Sequence, residues 1–125
     1  MSEWSHLPNA RHIDWIIQDV EPNPSDWWAA RGDTARGAAQ DTAYQAACDA
    51  ARDAARGAAW DAAWGAAWDA ARDAIQALIA YDHAGSLFDI PVEQVRVMAY
   101  LGQPAAILML PACEVRDKRR ELVSS

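Results

Sequence analysis

Three tryptophans, Trp60, Trp64 and Trp68, recur at four-residue intervals between Arg56 and Arg72. Side chains four apart on an α-helix are neighbours, so these five make one ridge of indoles flanked by guanidiniums. Indole faces attract cations and planar groups, and guanidiniums grip carboxylates and phosphates. The ridge could therefore clamp a planar aromatic or a nucleotide. It could equally anchor a protein interface, where Trp and Arg supply much of the binding energy. A plain structural reading competes with both: the indoles are the large half of a core whose small half is alanine. Tyr44 and Arg52 occupy the same position of earlier repeats. Gly65 costs a helix about 1 kcal/mol relative to alanine and opens a notch beside Trp68. The candidate ligand- or partner-binding residues are thus Tyr44, Arg52, Arg56, Trp60, Trp64, Gly65, Trp68 and Arg72.

Other chemistries find less support. Asp49 and Asp53, and again Asp69 and Asp73, are carboxylates one helical turn apart that could hold Mg²⁺ against a diphosphate. The pairs lie twenty residues apart, about 200° out of phase on one straight helix, so they would converge only across a hairpin. A solvated face, with weak pairs such as Asp49/Arg52, Asp53/Arg56 and Asp69/Arg72, explains them more simply. His6, His12 and His83 are scattered and read as surface or capping residues. Glu3-x-x-His6 occurs once, near a terminus expected to be mobile, whereas di-iron bundles need two such motifs. Zinc spacings, Walker loops, nucleophile elbows and dinucleotide fingerprints are absent. Cys48 and Cys113 read as free thiols; pairing of either with His12 or His83 has nothing in the sequence to recommend it. No catalytic residue, metal ligand or cofactor is expected, and an enzyme ranks third, behind a protein-binding and a small-molecule-binding reading.

The elements that must position the ridge come from a four-residue repeat, Ala-Ala-x-(Asp/Gly). From Ala38 to Tyr81 the chain divides into eleven tetrads without insertion. Each tetrad overshoots one helical turn by about 40°, so the alanine stripe winds slowly around the axis. A single rod of this length would span about 66 Å and show its apolar stripe to every side. The repeat is therefore expected to break into two or three helices, near Gly37 and Gly57, packed through alanine faces. One long central helix wrapped by shorter ones is the alternative.

Before the repeat, Ile13, Ile16, Ile17 and Val20 share a helical face. Pro22 and Pro24 end that helix, with Ser25 expected to cap the next one and Asp26 in its first turn. After the repeat, His83-Ala84-Gly85 suggests a helix C-cap. Asp89-Ile90-Pro91-Val92-Glu93 starts a helix that runs through Val95, Val97, Met98 and Leu101 to Gly102. Pro104 and Pro111 are expected to bracket one short apolar turn, and Val115–Glu121 to form a solvated, fraying tail. The organisation is one helical domain: 1–24 a helix and proline linker, 25–84 the repeat helices, 85–125 short helices and a charged tail.

Composition supports an all-α, compact helical bundle with Ala-rich, close-packed helices. At 125 residues there is room for one domain. Alanine dominates, Trp occurs seven times and Phe once, which favours helix over strand. A net charge of −7 argues against nucleic-acid wrapping, which needs clustered cations, and suits a basic partner. The start is polar and acidic, unlike a signal peptide, and the longest apolar run falls short of the ~20 residues of a membrane span. A cytoplasmic protein is expected.

The tetrads from Ala38 to Asp73, with Ala77–Asp82 and Leu110-Pro111-Ala112-Cys113, resemble a group of short Ala/Trp-repeat proteins of actinobacteria and their phages. Some of these carry an immunity-protein label. The resemblance spans about two-thirds of the chain and implies a small cytoplasmic protein that neutralises a partner by occupying its surface. Three functions follow: an immunity-like protein binding a partner such as a basic toxin through an acidic, Trp-bearing face; a sequestering protein for a small aromatic or nucleotide in a Trp/Arg-lined pocket between helices, of the resistance or phage counter-defence type; or a self-assembling structural protein. A homodimer is compatible with each.

Overall fold

The computed structural model describes residues 4–37, 41–54 and 69–124, with side chains described at 4–30, 45–51 and 71–121. All regular structure among them is helical, as alanine's propensity dictates. The elements are α1 (Ala10–Val20), α2 (Pro24–Gly37), α3 (Asp41–Ala54), α4 (Asp69–Ala80), a 3₁₀ helix (Ala84–Asp89), α5 (Val92–Tyr100) and α6 (Pro104–Ser124). No helix of the described residues is long and apolar enough to cross a membrane.

The organising element is α6, against which α2, α3, α4, α5 and the 3₁₀ helix all pack. It does not stop at Pro111, as proline punctuation suggested; Pro111 lies buried inside a helix of 21 residues. A helix-interior proline costs about 3 kcal/mol. Ile107, Leu108, Met109 and Leu110 are each at most 2% exposed, and burying each contributes about 1.5–3 kcal/mol, so tertiary burial wins. A central helix wrapped by others does exist, but it is this C-terminal one. The tetrads do not form a single rod, because α3 and α4 pack on each other. The break expected at Gly37 coincides with the end of α2; that at Gly57 lies outside the described residues.

The two repeat helices are buried to different depths. Of the α3 alanines whose side chains are described, Ala47 and Ala51, each the second of its tetrad, are buried, while Ala46 is exposed and Ala50 half-buried. In α4 every residue from Asp73 to Leu78 is buried, since α1, α2, α3, α6 and the 3₁₀ helix surround it. Asp73 and Gln76 go inside with the alanines.

Helix α1 buries Ile13, Ile16 and Val20, with Ile17 half-buried, as the spacing predicts, and rests on α2 and α4. The segment before it is anchored rather than loose from Trp4 onward: the Trp4 indole is buried and its Nε1 donates to Asp14 Oδ1 at 2.8 Å. Helix α2 starts at Pro24, two residues earlier than a Ser25 cap implies, and proline suits a first turn whose N–H groups lack partners. At the end of α5, Gly102 adopts φ +89°. Its N–H bonds Ala99 O at 3.0 Å and the Gln103 N–H bonds Met98 O at 3.1 Å, the paired closure that a left-handed residue permits.

Candidate functional site

The side chains on the outer turn of α1 converge with those on the second half of α6. Arg11 and Trp15, at i and i+4, share a face of α1 with His12 at its edge; Arg116, Arg119 and Arg120, at i, i+3 and i+4, share a face of α6. With Asp89, the last residue of the 3₁₀ helix, they line a cavity of about 540 Å³. Four guanidiniums and an imidazole thus meet one carboxylate in a chain whose net charge is −7.

The walls are held by specific contacts. Asn9 Nδ2 donates to the carbonyls of Leu78, Tyr81 and Asp82 at 3.0–3.2 Å, satisfying the open end of α4. The Asn9 carbonyl accepts the His12 and Ile13 N–H groups, so one residue fixes the start of α1 to the end of α4. Gly85 is not the left-handed cap expected from sequence, since among the described residues only Gly102 has positive φ. Its role is closeness: a Cβ there would collide with Asn9 Oδ1 and come within 2.6 Å of His12 Cδ2.

Phe88, buried behind the cavity, gathers the aromatic and cationic groups. The His12 ring lies 5.1 Å from it, Trp15 meets it edge-on at 5.8 Å, and the Arg116 Cζ sits 4.9 Å from its centroid. Trp15 also meets Trp27 at 6.3 Å, and the wholly buried Trp27 donates Nε1 to Asp19 Oδ2 at 2.9 Å. These contacts fix Trp15 and leave it half-buried.

The four arginines fall into two groups. Arg119 is committed to structure: Nε and Nη2 grip Asp19 at 2.8 and 2.9 Å, and Nη1 reaches Asp26 at 3.0 Å. Arg120 donates to the Phe88 carbonyl at 3.3 Å. Among the described residues, no carboxylate lies within ion-pair distance of Arg11 or Arg116. Burial, and then Arg120, press the Arg116 guanidinium below its ordinary pKa. His12 is likewise pushed below the usual histidine value, first by burial and then by Arg11 and Arg116, with Asp89 opposing. Arg11 also stands in the first turn of α1, which has no acidic residue, although the helix dipole there favours negative charge. An anion would relieve all of these repulsions.

Arg72, the one candidate binding residue from the sequence whose side chain is described, does not line this cavity. Arg56, Trp60, Trp64, Gly65 and Trp68 fall outside the described residues; Tyr44 and Arg52 sit on α3 with their side chains outside the description. Arg72 is half-buried on α4. Of the acidic pairs, Asp49 is exposed and Asp73 buried, while the side chains of Asp53 and Asp69 are not described. His6 and His83 are exposed, whereas His12 is half-buried and lines the cavity. Cys113 donates to the Leu87 carbonyl at 3.7 Å, and burial pushes its thiol up to about 12, which removes it as a nucleophile. The tail containing Arg116, Arg119 and Arg120 is no fraying appendage; it is a docked helical wall. Comparison with known protein families, with curated proteins and with solved structures finds no match to this chain.

Proposed function

We propose that this chain is a non-catalytic binding protein for a small phosphate-bearing ligand, held between α1 and the second half of α6. The observation that carries this reading is the pair Arg11 and Arg116. They stand on opposite walls of one cavity, with no carboxylate partner among the described residues. Guanidiniums present forked donors that match phosphate oxygens, and Arg120 and His12 add donors at the same cavity. A volume of about 540 Å³ is in the range of small-molecule sites. Such a reading keeps the pocket-based alternative drawn from the sequence but moves it to another pair of helices.

Calorimetric titration with pyrophosphate tests it. Arg116→Gln is expected to weaken binding about tenfold or more, the worth of one charge-assisted hydrogen bond. Helical circular dichroism should not change, because Arg116 ties no carboxylate of the fold. Absence of pyrophosphate binding at millimolar concentration, or equal affinity in the variant, would overturn the proposal.

A further inference from the structure

Trp15 and Arg11 face two cavities at once. Beside the arginine cavity lies a second recess of about 480 Å³, lined by Ser5, Ala10, Asp14 and Gln18 together with Arg11 and Trp15. The two therefore adjoin along the Arg11–Trp15 edge of α1. Their characters differ. The first gathers guanidiniums; the second offers an indole flanked by a hydroxyl, a carboxylate and an amide. Asp14 is held in place by the Trp4 indole, and Trp15 by Trp27 and Phe88, so the aromatic side of the recess is built before any ligand arrives.

We infer that the ligand is a nucleotide, with its phosphates among the arginines and its base in the recess against Trp15. This rests on the anion-binding reading above and adds to it. Arg11, Asp14, Trp15 and Gln18 follow one face of α1, and seven residues of helix rise about 10 Å. That length matches the reach from a nucleotide's phosphates to the far edge of its base. Stacking on an indole is tolerant of base identity, because every base has a π-face. The Gln18 amide both donates and accepts, so it can pair with the mixed edge of a base, and the Ser5 hydroxyl can do the same for a base or a ribose.

Calorimetry of pyrophosphate and of ADP, each with the wild-type chain and with the double variant Ser5→Ala/Gln18→Ala, tests the inference. ADP is expected to bind about a hundredfold tighter than pyrophosphate, about tenfold from the stack on Trp15 and about tenfold from the hydrogen bonds of Ser5 and Gln18 to base and ribose. The double variant should lose much of that advantage and keep its pyrophosphate affinity, since neither residue lines the arginine cavity. Equal affinities for ADP and pyrophosphate in the wild type would overturn the nucleotide inference and leave anion binding standing. So would a double variant in which the ratio is unchanged. Loss of pyrophosphate binding itself belongs to the other test, where Arg116→Gln decides.

Discussion

The two halves of α6 are joined to the molecule by opposite means. Every residue from Ala105 to Cys113 is buried, whereas from Glu114 to Glu121 only Val115 is. The first half is held by dispersion and the hydrophobic effect acting on all sides. The second is held by Arg119 on Asp19 and Asp26, Lys118 on Asp26, and Glu114 with Arg96 of α5 at 3.0 Å. Burial without direction gives stability but leaves no group free to meet a ligand. Ion pairs on a half-exposed helix stabilise less, yet they allow Arg116, between the paired positions, to face a cavity. One helix thus serves as both core and site wall, and the boundary falls within a turn of Cys113.

If this division is right, substitutions in the first half should cost far more than those in the second. Leu108 is 0% exposed at the centre of the bundle. Leu108→Ala is expected to destabilise by about 2–5 kcal/mol, the transfer loss plus a residual cavity. Urea unfolding followed by circular dichroism measures this directly. A loss under about 1 kcal/mol would mean that the core around α6 collapses easily, and that burial is not what carries the helix past Pro111.

Arg119→Gln should fall in the middle. Its side chain is 22% exposed and that of Asp19 12%, so the pair is screened only in part. Without it, Asp19 keeps the Trp27 N–H as its remaining donor. The expected cost is about 1–3 kcal/mol, for a partly buried carboxylate deprived of two charged hydrogen bonds. Arg119→Lys should recover only part of it, because an ammonium cannot reproduce the fork. Full recovery by lysine would show that charge alone, without geometry, fixes this half of the helix.

The same contrast explains what could be read from the sequence. The face of α1 was legible because Ile13, Ile16 and Val20 repeat at helical spacing and all three go inside. The turn at Gly102 was legible because glycine is the residue that tolerates its positive φ. Pro111 misled, since local punctuation reports the intrinsic cost of a proline and says nothing of the burial that outweighs it. The charged tail misled for a different reason. Arg119 and Lys118 find Asp19 and Asp26 at separations of 92–100 residues, and no local pattern encodes that pairing. The candidate site was half visible: Arg11, His12 and Trp15 share a turn, with a cation placed against the helix dipole. Such a misfit is a signal, but it gains meaning only once Arg116 stands opposite. The arginine cavity is assembled from two short, unrepeated stretches, which no repeat in the sequence announces.

The smallest effect belongs to Lys118, and it sharpens the comparison most finely. Its ammonium lies 2.8 Å from Asp26 Oδ1, with side chains 55% and 27% exposed, so Lys118→Ala should cost about 0–1 kcal/mol, and less in high salt. The titration of Asp26 is the more sensitive readout. The hydrogen bonds from Lys118 and then from Arg119 hold its carboxyl below the ordinary aspartate value. A folded pKa below the unfolded one means that the contribution is fully present above the ordinary value, about 3.9, and fades as pH falls through the lower folded one. Removing Lys118 should raise the Asp26 pKa toward ordinary without restoring it, because Arg119 Nη1 remains at 3.0 Å. Carboxyl-carbon NMR of the two chains across acid pH reads this shift. An Asp26 that titrates identically in both would mean that the lysine only lies alongside, and that Arg119 by itself fastens the end of α6 to α2.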